Sequence, residues 1–336
     1  MSTASTGTIA PEKILRELAE MWTALSHDPT GEGDGALRAC SMTLVTLAEE
    51  AEDFSALGEI IAALMPEHPA RTLVVRLQGA GERQLGERVY SQCWKPFGQK
   101  RQVCCEQVEI TASDSALGDL PSVILPLAVP DLPLIVWCRS ARVAAMPEFG
   151  AIAAMAQRVI VDGKEVPPVR EALALIAGIA AHGARVADLA WTRLTRWRAV
   201  LSQVFENRQN LAELPRISKV TVTTNGEPPL SACYFGAWVM DILDDIGVHP
   251  EFHLERSGGD SSGELHSIEL AAPGWSAELS RSDGRLIVTV GGLAQCNPLR
   301  PSTDFSLMEE ELRITGRDSV FERAFASAQR LCGAEK

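Results

Sequence analysis

Long apolar runs are missing from this sequence. The longest apolar stretch, Ser122 to Cys138, is interrupted by Pro126, Pro130, Asp131 and Pro133. A membrane-spanning helix needs about 20 apolar residues. The N-terminal segment also lacks the basic and apolar regions of a secretory signal. We therefore expect no membrane association and a cytoplasmic protein.

Motifs for phosphate binding and for nucleophilic catalysis are also missing. No G-x-x-x-x-G-K-[ST] loop occurs. Gly79-Ala80-Gly81 follows a predicted strand, but Gln84 stands at the third glycine position of a dinucleotide fingerprint, which indicates a surface loop. The segment Gly259 to Gly263 matches G-x-S-x-G, but a strand-like alternation follows it where a nucleophile elbow requires a helix. The sequence therefore predicts no catalytic residue, no cofactor and no enzyme activity.

Ligand sets for a metal ion are not apparent either. The eight cysteines include no C-x-x-C pair, and the neighbours Cys104 and Cys105 point to opposite faces of a predicted strand. His249 and His253 flank Pro250 in a segment that we interpret as extended, which places the two rings over about 10 Å apart. We expect free thiols in a reducing compartment. A redox role for one of them is an alternative that requires an exposed thiolate of low pKa.

The balance of charge is acidic. Asp and Glu outnumber Lys and Arg by 44 to 31, and the net charge is −13. This sign repels phosphate backbones and anionic lipid, so it argues against nucleic acid and membrane surfaces as partners.

Length and patterning predict two α/β domains. A chain of 336 residues exceeds the roughly 250–300 residues at which a single core stops growing. Helices are predicted over 11–25, 37–48, 56–65, 115–127, 148–157, 168–183, 188–205, 230–246 and 319–331, and strands over 72–77, 103–111, 134–137, 158–162, 217–223, 264–272, 275–281 and 285–291. The order predicts a larger domain, 1–206, with a largely parallel helix-covered sheet, and a smaller mixed α/β domain, 216–336. Asn207 to Pro215 is the expected linker.

Basic and aromatic residues are concentrated in one segment. Arg185 to Arg198 holds four arginines and a single acid, Asp188, which we predict to be a helix N-cap. On one continuous helix Trp191, Thr195 and Arg198 lie along the margin of the apolar face, where Arg198 can stack on Trp191. Such arginines suit a phosphate, a carboxylate or a partner protein, although a core helix with an ordinary charged face is the alternative.

Three stretches resemble a known family. They are Asp188-Leu189-Ala190-Trp191-Thr192-Arg193-Leu194-Thr195-Arg196-Trp197-Arg198, Val129-Pro130-Asp131-Leu132-Pro133-Leu134-Ile135-Val136-Trp137 and Glu67-His68-Pro69-Ala70-Arg71, joined by Glu106-Gln107-Val108 and Val161-Asp162. Together they resemble the glucose-6-phosphate dehydrogenase assembly protein family, OpcA. Where the family often has a second tryptophan this chain has Cys138, and Arg196 replaces a proline.

The resemblance implies a non-catalytic effector that binds glucose-6-phosphate dehydrogenase and promotes its active oligomer in the oxidative pentose phosphate pathway. One alternative is a binding module or cryptic enzyme for a small anionic metabolite, which uses the arginine-rich helix and the strand end near Asp131, Trp137 and Arg139. Another is a structural scaffold. The candidate residues for partner or ligand contact are Asp131, Trp137, Arg139, Asp188, Trp191, Arg193, Thr195 and Arg198. Of these, we expect Arg193 and Arg198 to project on either side of the apolar face.

Overall fold

Two compact units make up the described part of the chain. The computed structural model describes residues 9–26, 36–94, 102–257 and 264–333. The first unit runs to Val161 and includes Ala177–Ala187, and the second combines Asp162–Ile176 with the chain from Asp188 onward. The dividing points therefore lie upstream of the segment 207–215 that the sequence favoured as a linker.

Helices and strands are interspersed along the chain up to residue 188. In chain order they are α1 Pro11–Ser26, β1 Ala36–Arg38, β2 Met42–Glu49, α2 Phe54–Leu64, β3 Ala70–Leu77, β4 Leu85–Trp94, β5 Gln102–Ala112, α3 Leu120–Leu127, β6 Leu134–Cys138, α4 Ala141–Ala144, α5 Phe149–Met155, β7 Arg158–Val161, α6 Val169–Ala181 and β8 Arg185–Asp188.

The first sheet is largely parallel, as predicted. Its order is β1-β5-β3-β2-β6-β7-β8, with β4 paired to β5. The pairs β3–β5, β2–β3, β2–β6 and β6–β7 are parallel, whereas β4 runs antiparallel to β5. Among these parallel pairs, β2 is the earliest strand in the chain, and it lies between β3 and β6. The strands that follow β2 in the chain are thus added first on one side of it and then on the other, so the strand order reverses at β2. This is the order of a doubly wound α/β sheet.

The prediction of a helix over 37–48 is wrong. Seven of the eight residues of β2 are buried, because the strand lies at the centre of the sheet with neighbours on both sides. A short apolar run that is covered on both faces has no period that separates strand from helix. Thr43, Val45 and Thr46 are the β-branched residues that favour the strand.

A buried ion pair fastens β3 to β5. Arg71 donates from Nε to Glu106 at 2.5 Å and from Nη1 to the carbonyl of Leu127 at 2.6 Å. Glu106 also accepts from Trp22 Nε1 at 2.5 Å and from Arg38. Arg71 and Glu106 are 6% and 3% exposed. The Arg71 and Glu106 positions of the family motifs therefore have a structural role in the first unit.

Most cysteines are free thiols, as expected, but one pair forms a disulfide that the sequence did not indicate. Cys93 in β4 and Cys104 in β5 face each other across the antiparallel pair and form a disulfide. The sequence reasoning missed β4, whose polar residues conceal a strand at a sheet edge, and with it the neighbour of Cys104. Cys40, Cys105, Cys138, Cys233, Cys296 and Cys332 are free.

Helices and an antiparallel meander follow residue 188. They are α7 Leu189–Thr192, α8 Thr195–Val204, α9 Arg208–Leu211, β9 Lys219–Asn225, α10 Leu230–Asp245, β10 Glu251–Ser257, β11 Glu264–Ala272, β12 Trp275–Ser282, β13 Arg285–Val290, β14 Leu293–Pro298, α11 Asp304–Arg313 and α12 Ser319–Cys332.

The second sheet is mixed. Its order is β10-β9-β11-β12-β13-β14, in which β10 and β9 are parallel and the other pairs are antiparallel. The predicted β9, β11, β12 and β13 are confirmed, and β10, β14 and α11 were missed. The segment Gly259 to Gly263 lies outside the described residues, and the strand predicted directly after it is confirmed as β11.

A single helix over 188–205 is not formed. Asp188 ends β8 and caps α7, and the chain turns at Arg193 and Leu194 before α8 begins. The predicted N-cap role of Asp188 is confirmed, since its side chain accepts from the N–H of Ala190 at 2.9 Å. No helix among the described residues is both long and apolar enough to cross a bilayer.

Candidate functional site

Two sequence motifs of the second unit meet through hydrogen bonds. Asp162 follows β7, and Arg193 follows α7. The guanidinium of Arg193 donates two bonds to the Asp162 carboxylate, at 2.7 and 2.6 Å. Burial alone lowers the pKa of Arg193, but the hydrogen bonds and charge of Asp162 outweigh it and leave this pKa above its ordinary value. Arg193 is therefore held by a carboxylate of its own unit. The continuous helix predicted from the sequence had placed it instead as a projecting residue for partner contact.

Asp188 is the buried centre of the same site. Its side chain accepts from the N–H of Gly163 at 2.8 Å and from the Tyr234 hydroxyl at 2.9 Å, in addition to the Ala190 N–H. The residue is 0% exposed, and burial raises its pKa to about 6 despite these donors. Asp188 thus connects the 162–163 turn, α7 and α10 of the second unit, and it is inaccessible to a partner.

Arg198 and Trp191 form the stack that the sequence predicted. The guanidinium carbon of Arg198 lies 3.6 Å from the Trp191 ring centroid, and Arg198 Nη2 donates to Thr195 Oγ1 at 2.9 Å. Thr195 in turn donates to Glu310 of α11, and Trp191 Nε1 donates to Asp318 at 3.2 Å. Burial lowers the pKa of Arg198.

Arg198 retains hydrogen-bonding capacity. Its Nε is buried and has no acceptor within the described part of the chain, although the residue as a whole is only half-buried. Because Nε is buried, it is not accessible to another molecule, and only the exposed part of this half-buried side chain is available for an outside contact.

Sequence reasoning missed three members of this site. Tyr234 and Asp318 lie far along the chain from Trp191, and Glu310 belongs to the helix α11 that was not predicted. No local pattern indicates such contacts, because α10, α11 and α12 bring them from distant segments. Tyr234 is one of only two tyrosines, and a scarce residue with a polar group on an apolar helix was the available signal.

Trp137 and Arg139 lie in the first unit, at the carboxyl end of β6, beside the point where the strand order reverses. Trp137 is 1% exposed in β6, and the Arg139 guanidinium lies 4.6 Å from its ring centroid. Arg139 pairs with Glu52 at 2.6 Å, and Arg142 pairs with Glu49 at 2.9 Å and with Asp114 at 2.7 Å. These arginines are thus bound by carboxylates of their own unit.

Doubly wound sheets often bind a dinucleotide at this point, and these residues do not fit one. The pyrophosphate of such a ligand lies against the N-terminus of the helix after the first strand, across a glycine-rich turn. Here the turn between β2 and α2 reads Glu50-Ala51-Glu52-Asp53. The Asp53 carboxylate itself accepts from the N–H groups of Ser55 and Ala56, at 2.9 and 3.1 Å. The helix N-terminus is therefore occupied by a carboxylate and flanked by acids.

Asp131 is separated from the other candidates. It is exposed, with φ 64°, in the turn before β6, whereas Arg139 follows the carboxyl end of that strand. Asp131 and Arg139 therefore lie at opposite ends of β6, whose five residues include Trp137, and the three candidates do not share one strand end.

Buried thiols do not provide a reactive nucleophile in the first unit. Burial raises the pKa of Cys105 to about 11 and that of Cys138 to about 12, and thiols of high pKa are weak nucleophiles. Among the described residues, no group of three or more His, Cys, Asp and Glu side chains has the arrangement of a metal site.

The fold and these contacts define a two-unit α/β protein with a doubly wound sheet in one unit and an arginine–tryptophan stack in the other. Two family models match it: the glucose-6-phosphate dehydrogenase subunit N-terminal domain over residues 61–178, and the C-terminal domain of the same subunit over residues 184–325. These matches span more than half of the chain. The chain belongs to the OpcA family of glucose-6-phosphate dehydrogenase assembly proteins.

Curated relatives are distant in sequence. A protein named as OxPP cycle protein OpcA from Nostoc punctiforme is 25% identical over 178 residues, which cover 53% of this chain and 38% of that protein. Its namesake from Synechocystis is 23% identical over 222 residues, which cover 65% of this chain and 44% of that protein. The chain thus spans less than half the length of these two relatives.

Solved structures with a similar backbone arrangement include an aldose–aldose oxidoreductase from Caulobacter crescentus. The match has 12% identity and a TM-score of 0.45, and it covers 86% of this chain and 95% of that one. A biliverdin reductase from Synechocystis matches with 10% identity and a TM-score of 0.42, over 85% of this chain and 96% of that one.

Proposed function

We propose that this protein is a non-catalytic assembly factor, which binds glucose-6-phosphate dehydrogenase and promotes its active oligomer in the oxidative pentose phosphate pathway. The observation that carries the proposal is the family match, which extends through the segments of both units. The relatives' names, which assign them to the OxPP cycle, support the same role.

The first unit supports the non-catalytic part of the proposal. In a hydride-transferring enzyme of this strand order, the turn after the first strand holds the cofactor pyrophosphate. In this chain Asp53 takes the helix N–H donors, and Glu52 pairs with Arg139. An incoming pyrophosphate would meet carboxylates where it needs donors, so binding there is electrostatically unfavourable.

The second unit supports a contact through Arg198. Arginine and tryptophan are enriched among interface residues that contribute most to binding. Arg198 is half-buried and is oriented by Trp191 and Thr195. We assign Arg198 as the contact residue and Arg193, Asp188 and Thr195 as the residues that position its surroundings.

Co-purification with the dehydrogenase of the same organism tests the function directly. The tagged protein is expected to retain the dehydrogenase, and its addition is expected to change the rate of NADP⁺ reduction by glucose 6-phosphate. Absence of both a complex and a rate change would contradict the proposal.

Replacement of Arg198 tests the contact. Arg198→Ala is expected to weaken the complex by about 2 kcal/mol or more, as interface arginines often do. Arg317→Ala is the matched control, because Arg317 is 73% exposed in its side chain and pairs only at the surface with Glu322. Thermal melts of both variants separate binding from folding. Equal retention of the dehydrogenase by both variants would show that Arg198 serves the fold alone.

A further inference from the structure

A cavity of about 670 Å³ lies within the second unit, apart from the Arg198 stack. It is open to solvent on one side and is lined by the 163–170 segment, residues 227–230 at the start of α10, strand β10 and the end of α12. Its volume lies within the range of cavities that hold small organic molecules.

The walls of this cavity are mainly apolar. They include Val166, Pro168, Leu230, Phe252, Leu254 and Leu331. Phe252 and Leu254 are only half-buried, because β10 is an edge strand of the second sheet. The protein itself therefore leaves part of this apolar surface in contact with solvent.

The charged residues that line the cavity are mainly cationic. Lys164, Arg170 and Arg256 are the cations of the lining and Glu227 is its acid, and Glu227 pairs with Arg256 at 2.8 Å. Lys164 and Arg256 are exposed, so they place positive charge at the rim of the cavity. Such a rim is complementary to an anionic group at the mouth of an apolar cavity.

Two cysteine thiols in the wall can report whether the cavity is occupied. Cys233 is buried and Cys332 is half-buried, and both line the cavity. A hydrogen bond with Cys233 lowers the pKa of Cys332, which favours its alkylation. Cys296, an exposed cysteine on β14, lines no part of this cavity and serves as the matched reference.

We propose that this cavity binds a small organic anion with an apolar body. The apolar part contacts Leu230, Phe252 and Leu254, and the anionic group lies at the rim near Lys164 and Arg256. This site goes beyond the assembly function and does not depend on it, since no residue of the proposed partner contact lines the cavity.

Two fluorescent probes of nearly the same shape test both parts of the proposal on the full chain. 8-Anilinonaphthalene-1-sulfonate carries the sulfonate, and N-phenyl-1-naphthylamine lacks it. We expect one sulfonated probe per chain, bound about tenfold more tightly than the neutral one. Equal affinity of the two probes would overturn the anionic part, and no saturable binding of either would overturn the site.

Reversing the charges at the rim tests whether the probe binds in the cavity. The double variant Lys164→Glu with Arg256→Glu is expected to weaken the sulfonated probe by about tenfold or more. The double variant Arg281→Glu with Arg285→Glu is the matched control on exposed strand positions. Its affinity for the sulfonated probe should stay within about twofold of that of the unmodified protein. Unchanged affinity in the first double variant would contradict the proposal.

Alkylation of the unmodified protein needs no variant. The saturating sulfonated probe is expected to slow iodoacetamide labelling of Cys332 by about fivefold or more and to leave Cys296 unaffected. Equal rates at Cys332 with and without the probe would place the bound probe elsewhere and overturn the assignment.

Discussion

Single residues of the motif at 188–198 differ in how deeply they are buried. Asp188 is fully buried and satisfied by three donors. Arg198, ten residues later, is half-buried. The same motif therefore holds a residue that is fully enclosed and a residue that is partly exposed.

Asp188 predicts a pH dependence of stability. Burial raises its pKa to about 6 in the folded protein, above the model-peptide value of 3.8, so the folded protein keeps a proton that the unfolded chain releases. The contribution of this group is therefore full below about pH 4 and is lost as the pH rises through about 6. The loss amounts to about 3 kcal/mol between about pH 4 and pH 7.

Asp188→Asn isolates this effect. An asparagine can still accept from Gly163 and Ala190 at the oxygen that receives both bonds, and its amide can donate to Tyr234. Urea unfolding of both proteins across this pH range is expected to show that the wild-type free energy of unfolding falls relative to the variant by about 3 kcal/mol. A difference that does not change with pH would show that Asp188 titrates as an exposed aspartate.

At the scale of elements, the 162–163 turn packs so closely that only glycine fits. A Cβ on Gly163 would lie within 3.0 Å of Leu230 and Asp188, whereas a Cβ on Gly178 of α6 meets nothing within 4 Å. Gly163→Ala should therefore cost about 1–3 kcal/mol through overpacking. Gly178→Ala should stabilise its helix by up to about 1 kcal/mol. Unfolding free energies measure both, and equal effects of the two substitutions would contradict the close packing.

The elements that sequence reasoning predicted are those with a clear period or a clear boundary. The amphipathic α1 and α12 and the alternating β11, β12 and β13 follow the predicted limits closely. The buried β2 was mistaken for a helix because both of its faces are covered, and the polar edge strands β4 and β14 were missed because neither alternates strongly. The break between α7 and α8 could not be predicted, since contacts from distant helices stabilise it.

The sequence predicted several residues of the candidate site but few of the contacts between them. The stack of Arg198 on Trp191 and the cap at Asp188 are confirmed. The pairing of Arg193 with Asp162 and the acidic partners of Thr195 and Trp191 were not predicted, because they depend on long-range packing. The inference of the family rested on motif strings, which are independent of the strand order.

At the scale of the whole molecule, the first sheet has the strand order of a dinucleotide-binding fold, but the turn between β2 and α2, where such a fold binds the pyrophosphate, is acidic. The strand order is retained in β5-β3-β2-β6-β7-β8, while Asp53 caps the helix that would hold a pyrophosphate. Fold and function are separable, and the residues of a site decide which chemistry a fold carries. The function proposed above requires coupling between two proteins and no chemistry by this chain.

The mass distribution of the dehydrogenase tests this central claim most directly. The measurement is light scattering of the enzyme from the same organism, diluted until its oligomer begins to dissociate, with and without an excess of this protein, while the reaction rate is followed in parallel. The account predicts that this protein shifts the dehydrogenase to its larger active oligomer and raises the rate under these conditions, because a ligand that binds one assembly state preferentially increases its population. An unchanged mass distribution together with an unchanged rate would contradict it.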